Sequence, residues 1–94
     1  MATKHDEETL VDSLIKDLLE PTRSIILWND DHNSFEWVIL CLMSYLSFTA
    51  ERAEQTAWNV HLTGKDVIKT GSKDQLEPYK KLLEERGLTL SIEE

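Results

Sequence analysis

The chain has 94 residues, enough for one domain around a single modest core. An apolar content of 40% fits a globular protein, and a formal charge of −8 argues against nucleic acid or anionic membrane surfaces as partners. The same acidic field attracts cationic ligands.

The leading residues, Met1-Ala2-Thr3-Lys4-His5-Asp6-Glu7-Glu8, lack the apolar core of a signal peptide. No apolar run approaches the roughly 20 residues that span a bilayer. A soluble, cytoplasmic chain is expected. The single cysteine, Cys41, falls in an apolar helical run and reads as a small core residue in a reducing compartment.

Residues 1–22 read as an N-terminal extension and residues 23–94 as the core domain. In the extension, Leu10, Val11, Leu14, Ile15, Leu18 and Leu19 form one stripe of an amphipathic helix over Glu7 to Leu19. Asp6, Glu7 and Glu8 suit the positive end of its dipole, and Pro21 marks its stop. Packing of the stripe on its own domain is the expectation; docking on a partner and pairing of two copies are the alternatives.

Ser24 to Trp28 is short, β-branched and mostly apolar, which predicts a strand buried on both faces. Asn33 stands three residues before Glu36, a variant of the capping box, so a helix should start near Ser34 with Phe35, Val38, Ile39, Leu42, Tyr45 and Leu46 on its apolar face. Thr49 caps a second helix running through His61, and Gly64 supplies the left-handed residue after it. Asp66 to Thr70 reads as a second strand. Ser72 and Gln75 are spaced as a capping box for a third helix, Lys73 to Arg86, although Pro78 argues for a start nearer Glu77. Gly87 closes that helix, and the alternation Leu88-Thr89-Leu90-Ser91-Ile92 predicts a strand with one buried face. The expected fold class is α+β: a β-α-α-β-α-β core whose three-stranded antiparallel sheet carries three helices on one face, plus the N-terminal amphipathic helix.

Two places could carry chemistry. In Trp28-Asn29-Asp30-Asp31-His32-Asn33 the first strand ends in more Asn and Asp than a turn requires. Asn29 and Asp31 project from one side if the strand's alternation persists, with Leu27 one pleat earlier. A carboxylate and an amide oxygen at the mouth of an apolar site suit an ammonium, which has donors only. The plainer alternative is a hydrophilic turn closing its own backbone hydrogen bonds. In the second place, Ala57, Val60 and His61 share a helical face. His61 is a satisfied core residue, a neutral acceptor or a metal ligand on this ground. His61, Asp30 and Asp31 lack the i, i+4 pairing of metal ligands, and no motif of a nucleophile elbow or phosphate loop is present. A binding module without catalysis, metal or cofactor is the expectation.

These residues resemble a known family. Asn29-Asp30-Asp31, then Phe35-Glu36-Trp37-Val38, Glu51-Arg52-Ala53 and Val60-His61-Leu62-Thr63-Gly64-Lys65 are similar in type and spacing to the signature of ClpS, the bacterial adaptor that delivers N-degron substrates to the ClpA or ClpC unfoldase of the Clp protease. The likeness covers roughly Ser24 to Ile92. It implies an adaptor, not an enzyme, that binds polypeptides with a free hydrophobic N-terminal residue and hands them to an AAA+ unfoldase. It implies Asn29, Asp31 and His61 as acceptors for the α-ammonium protons, with Asp30 strengthening the negative potential. It implies a pocket for the first side chain lined by Leu27, Phe35, Val38, Ala57, Val60 and Leu88, with Asn33 near the peptide backbone. An acetylated terminus would leave Asp31 buried without its partner.

Two pocket positions depart from the family pattern: Phe35 and Ala57 stand where Met is common. The smaller Ala57 opens the spectrum to β-branched Ile or Val, unless Phe35 compensates. The stretch Lys69 to Lys81 is shorter than in the family and lacks its pattern at the surface that meets the unfoldase. A non-catalytic interaction domain of the same fold, without recognition of N-terminal residues, is the alternative function.

Overall fold

The computed structural model describes residues 11–12, 14–15 and 18–94. The core runs β1 (Arg23–Trp28), α1 (Phe35–Leu46), α2 (Ala50–Thr63), β2 (Lys65–Gly71), α3 (Lys73–Glu85) and β3 (Thr89–Glu93). This is the α+β order expected, and the sheet is antiparallel with β1 in the centre, flanked by β2 and β3.

The central position explains the composition of β1. Ile25 and Leu27 join the core cluster with Ile68 and Leu90, while Ile26, on the opposite face, is flanked by Val67 and Ser91 and is also buried. Two buried faces need a continuous apolar run rather than an alternating one. A bulge opposite Ile25 and Ile26 leaves Ile68 as the extra residue on β2 and turns it into the core. In β3 the expected alternation holds, with Leu90 buried and Thr89 and Glu93 exposed.

The helices α2 and α3 lie against the sheet, and α1 packs across both of them. Each starts at a serine or threonine whose side chain accepts a backbone N–H of the first turn: Ser34 from Trp37, Thr49 from Arg52, Ser72 from Gln75. The cap of α1 is therefore Ser34 and not Asn33. The side-chain amide of Asn33 donates instead to Asp30 and to the Gly87 carbonyl, as described below. The capping box of α3 is complete, since the Gln75 side chain accepts from the Ser72 N–H. It starts the helix at Lys73, and Pro78 lies inside α3 rather than near its first residue. A proline there costs about 3 kcal/mol in an isolated helix. Here the cap before it and the fully buried Leu76 and Leu83 on either side hold the helix together.

Of the N-terminal extension, Val11, Asp12, Leu14, Ile15, Leu18 and Leu19 are helical. Val11, Leu14, Ile15, Leu18 and Leu19 are exposed, so the expected packing of this stripe on its own domain is not seen. Leu10 and the expected start at Asp6 to Glu8 lie outside the described residues. Among the described residues no helix is long and apolar enough to cross a membrane, and no cluster of His, Cys, Asp or Glu could hold a metal ion.

Candidate functional site

Where β1 ends, the chain crosses the C-terminal end of α2. The backbone N–H of Asn29 donates to the carbonyl of Gly64 at 2.8 Å. Gly64 is the left-handed cap of α2, with φ of 96°, and its own N–H donates to Val60. A β-carbon at that φ is strained, so a glycine here lets the helix stop and its carbonyl meet the strand. The loop that carries the polar cluster is thus fixed to the helix that carries His61.

The loop is organised around Asp30. One carboxylate oxygen accepts the backbone N–H groups of His32 (3.2 Å) and Asn33 (2.9 Å). The other accepts the Asn33 side-chain amide (2.8 Å) and the Thr89 hydroxyl (2.9 Å). The Asn33 amide also donates to the Gly87 carbonyl at 2.8 Å. The loop is thereby stitched to the turn between α3 and β3. Burial pushes the Asp30 carboxyl up, but the hydrogen bonds from the side chain and backbone of Asn33, from Thr89 and from His32 outweigh it, and the net shift is below the ordinary carboxylate value. The ring nitrogens of His32 lie 3.7 Å from Asp30 Oδ2 and 3.7 Å from Asp31 Oδ1.

Between this loop, α1 and α2 lies a cavity of about 280 Å³, lined by Asn29, Asp30, Asp31, Asn33, Phe35, Val38, Ala57, Val60 and His61. Nine of the eleven residues singled out in the sequence are brought together here. The other two, Leu27 and Leu88, are buried in the core cluster and do not line the cavity. Alternation along a strand tells which face a side chain takes, not how deep it lies. Phe35, Val38, Ala57 and Val60 make the apolar part, and the polar residues ring one side.

The polar groups differ in what they already do. Asp30 is committed to four hydrogen bonds. The side chains of Asn29 and His61 make no hydrogen bond or ion pair among the described residues, and Asp31 faces only His32. Asp31 is fully exposed, so it is not a carboxylate buried ahead of a partner. Trp58, Gly87 and Thr89 were given no part in the site from the sequence, yet each shapes it. Trp58 packs at a tilt against Phe35, with ring centroids 4.7 Å apart and planes at 56°. It also meets His61 edge-on at 6.0 Å.

Residues 19–91 match the family model of ClpS, the ATP-dependent Clp protease adaptor protein. The chain belongs to the ClpS family. Membership places it among protease adaptors rather than enzymes. The ATP-dependent Clp protease adapter protein ClpS of Thermosynechococcus vestitus is 36% identical over 72 residues, 76% of this chain and 77% of that protein. The ClpS of Synechocystis is 35% identical over 72 residues, again 76% of this chain and 74% of its own. The structure of Agrobacterium tumefaciens ClpS2 bound to L-phenylalaninamide shares the fold, with a TM-score of 0.65 at 20% identity over 77% of this chain and 94% of that one. The ClpS match contains the whole cavity lining.

Proposed function

We propose that this chain is an adaptor that holds the free N-terminal residue of a substrate polypeptide in the cavity and delivers it to a Clp AAA+ unfoldase. One observation carries the reading: three acceptors with unused capacity, Asn29, Asp31 and His61, border an apolar space. An α-ammonium has three donors and one charge, and a large first side chain supplies the apolar body. A. tumefaciens ClpS2 binds L-phenylalaninamide, which presents a free α-amine, an aromatic side chain and a neutral carboxamide. A polypeptide N-terminus presents the same features.

The energies require both halves. Burying one large apolar side chain gives about 1.5–3 kcal/mol. A micromolar complex needs about 8 kcal/mol, so the ammonium contacts supply much of the remainder. Asp30, already saturated, contributes its field and keeps Asn29 and Asp31 in place. Asn33 has an amide held by Asp30 and Gly87, which leaves its backbone carbonyl and side-chain oxygen near the passing peptide. His61 accepts through the lone pair of a ring nitrogen.

The accepted first residues are bulky and apolar, and Ala57 extends them to Ile and Val. The Phe35 ring lines the cavity and also packs against Trp58, and the Ile and Val peptides measure whether it replaces the missing bulk. Fluorescence anisotropy with peptides differing only in the first residue (Leu, Phe, Tyr, Trp, Ile, Val, Met, Ala, Arg) tests this, each repeated with an acetylated terminus and with His61→Ala protein. Tight binding to bulky apolar starts, lost on acetylation, is expected. Equal binding of free and acetylated peptides would leave an interaction domain without N-terminal recognition.

A further inference from the structure

Trp58 is nearly half exposed at 45%, lines no part of the cavity, and yet touches both of its halves. On one side it meets Phe35, the first residue of α1 and part of the apolar wall. On the other it meets the ring of His61 one turn further along α2. Among the described residues the His61 ring makes no hydrogen bond, and Trp58 is the aromatic side chain it meets. Phe35 likewise follows the cap directly, where a side chain has no preceding helical turn to lean on.

We propose that Trp58 is a positioning residue that couples the two halves of the cavity, holding the apolar wall at Phe35 and the acceptor at His61 in a single aromatic cluster. The inference rests on the reading of the cavity as a site for N-terminal residues. A freely rotating imidazole loses conformational freedom when it accepts an ammonium proton, and that loss weakens binding. Contact with Trp58 restrains the ring beforehand. Offset and edge-on aromatic pairs have a preferred geometry, so the cluster fixes direction as well as distance. A first side chain that presses on Phe35 is therefore felt at His61, and recognition of the amine depends on what fills the apolar space.

The test uses the full chain and four peptides: Leu or Ala as first residue, each with a free or an acetylated terminus. Dissociation constants come from anisotropy competition for wild type, Trp58→Ala, Trp58→Leu and Trp58→Phe. Far-UV circular dichroism confirms folding, and the leucine variant keeps apolar bulk without the ring. Trp58→Ala and Trp58→Leu are expected to weaken the free Leu peptide about two- to twelvefold, the fold-change corresponding to one aromatic pair. The free-to-acetylated ratio should shrink for Leu more than for Ala, and Trp58→Phe should recover most of the loss. Unchanged constants in Trp58→Ala overturn the coupling, as does a loss equal for all four peptides that phenylalanine does not rescue. A wild-type protein that binds free and acetylated peptides alike overturns the N-terminal reading itself, and the coupling with it. A wild type that discriminates while the Trp58 variants discriminate equally well removes only the role of Trp58.

Discussion

The backbone N–H of Asn29 reaches the carbonyl of Gly64 over 2.8 Å, joining the end of the central strand to the end of the helix that carries His61. The two polar flanks of the cavity are separated by the whole of α1 and α2 in the chain, and this bond sets their spacing. Gly64→Ala adds a side chain that meets nothing within 4 Å, so the cost is conformational, from a φ of 96°. We expect a loss of about 1–2 kcal/mol on urea denaturation. Peptide affinity should fall as well, because relief of the strain moves the Gly64 carbonyl away from Asn29.

Neighbouring aspartates should respond oppositely. In Asp30→Asn one carboxylate oxygen becomes an amide nitrogen facing the Asn33 amide that donated to it. A destabilisation of about 1–3 kcal/mol is expected in thermal or chemical unfolding. Asp31 is exposed and has only His32 nearby, so Asp31→Asn should leave the melting temperature unchanged while weakening free-amine peptides. Equal effects of the two substitutions on stability would contradict the division of roles.

Acid titration separates Asp30 further. Its folded carboxyl titrates below the ordinary value of 3.8. The unfolded chain therefore binds that proton more readily than the folded one. The stability contributed by Asp30 is complete above the ordinary value and is lost as pH falls through the lowered one. Denaturation series run from neutral pH into the acid range should show a downward limb that becomes shallower in Asp30→Asn.

The element order and the caps of α2 and α3 were readable because their signals are local. Thr49, Gly64 and the Ser72–Gln75 box act within three or four residues, and the apolar run of β1 follows from its central place in the sheet. The organisation of the loop was not readable. Asn33 looked like a helix cap because its spacing to Glu36 fits one, but its amide goes to Asp30 and to the Gly87 carbonyl. Thr89, far along the chain, reaches Asp30 from the neighbouring strand β3, where it pairs with Trp28. Such pairings have no spacing rule in the chain. Trp58 escaped notice for a related reason: its partner Phe35 lies on another helix, and an exposed aromatic on α2 has no periodicity that marks it.

The two histidines beside the cavity should also differ. His61→Ala removes an acceptor that lines the cavity and should weaken free-amine peptides. His32→Gln, 3.7 Å from both carboxylates but outside the cavity lining, should keep most of the affinity. Dissociation constants of the two variants check the division.

The size of residue 57 is open to direct trial. Ala57 is buried and lines the cavity. Ala57→Met should cost β-branched first residues about 1–3 kcal/mol through overpacking, while Leu and Phe starts lose less. A parallel loss for all first residues would mean that the substitution closes the cavity as a whole.

Cys41 is fully buried at the centre of α1, and burial pushes its thiol up, away from the reactive thiolate. As the chain's single cysteine, it gives the domain a built-in clock. A disulfide reagent added to the native protein can react only as fast as α1 lifts from the core. The modification rate, with and without a bound peptide, would thus report how strongly an occupant of the cavity holds that helix shut.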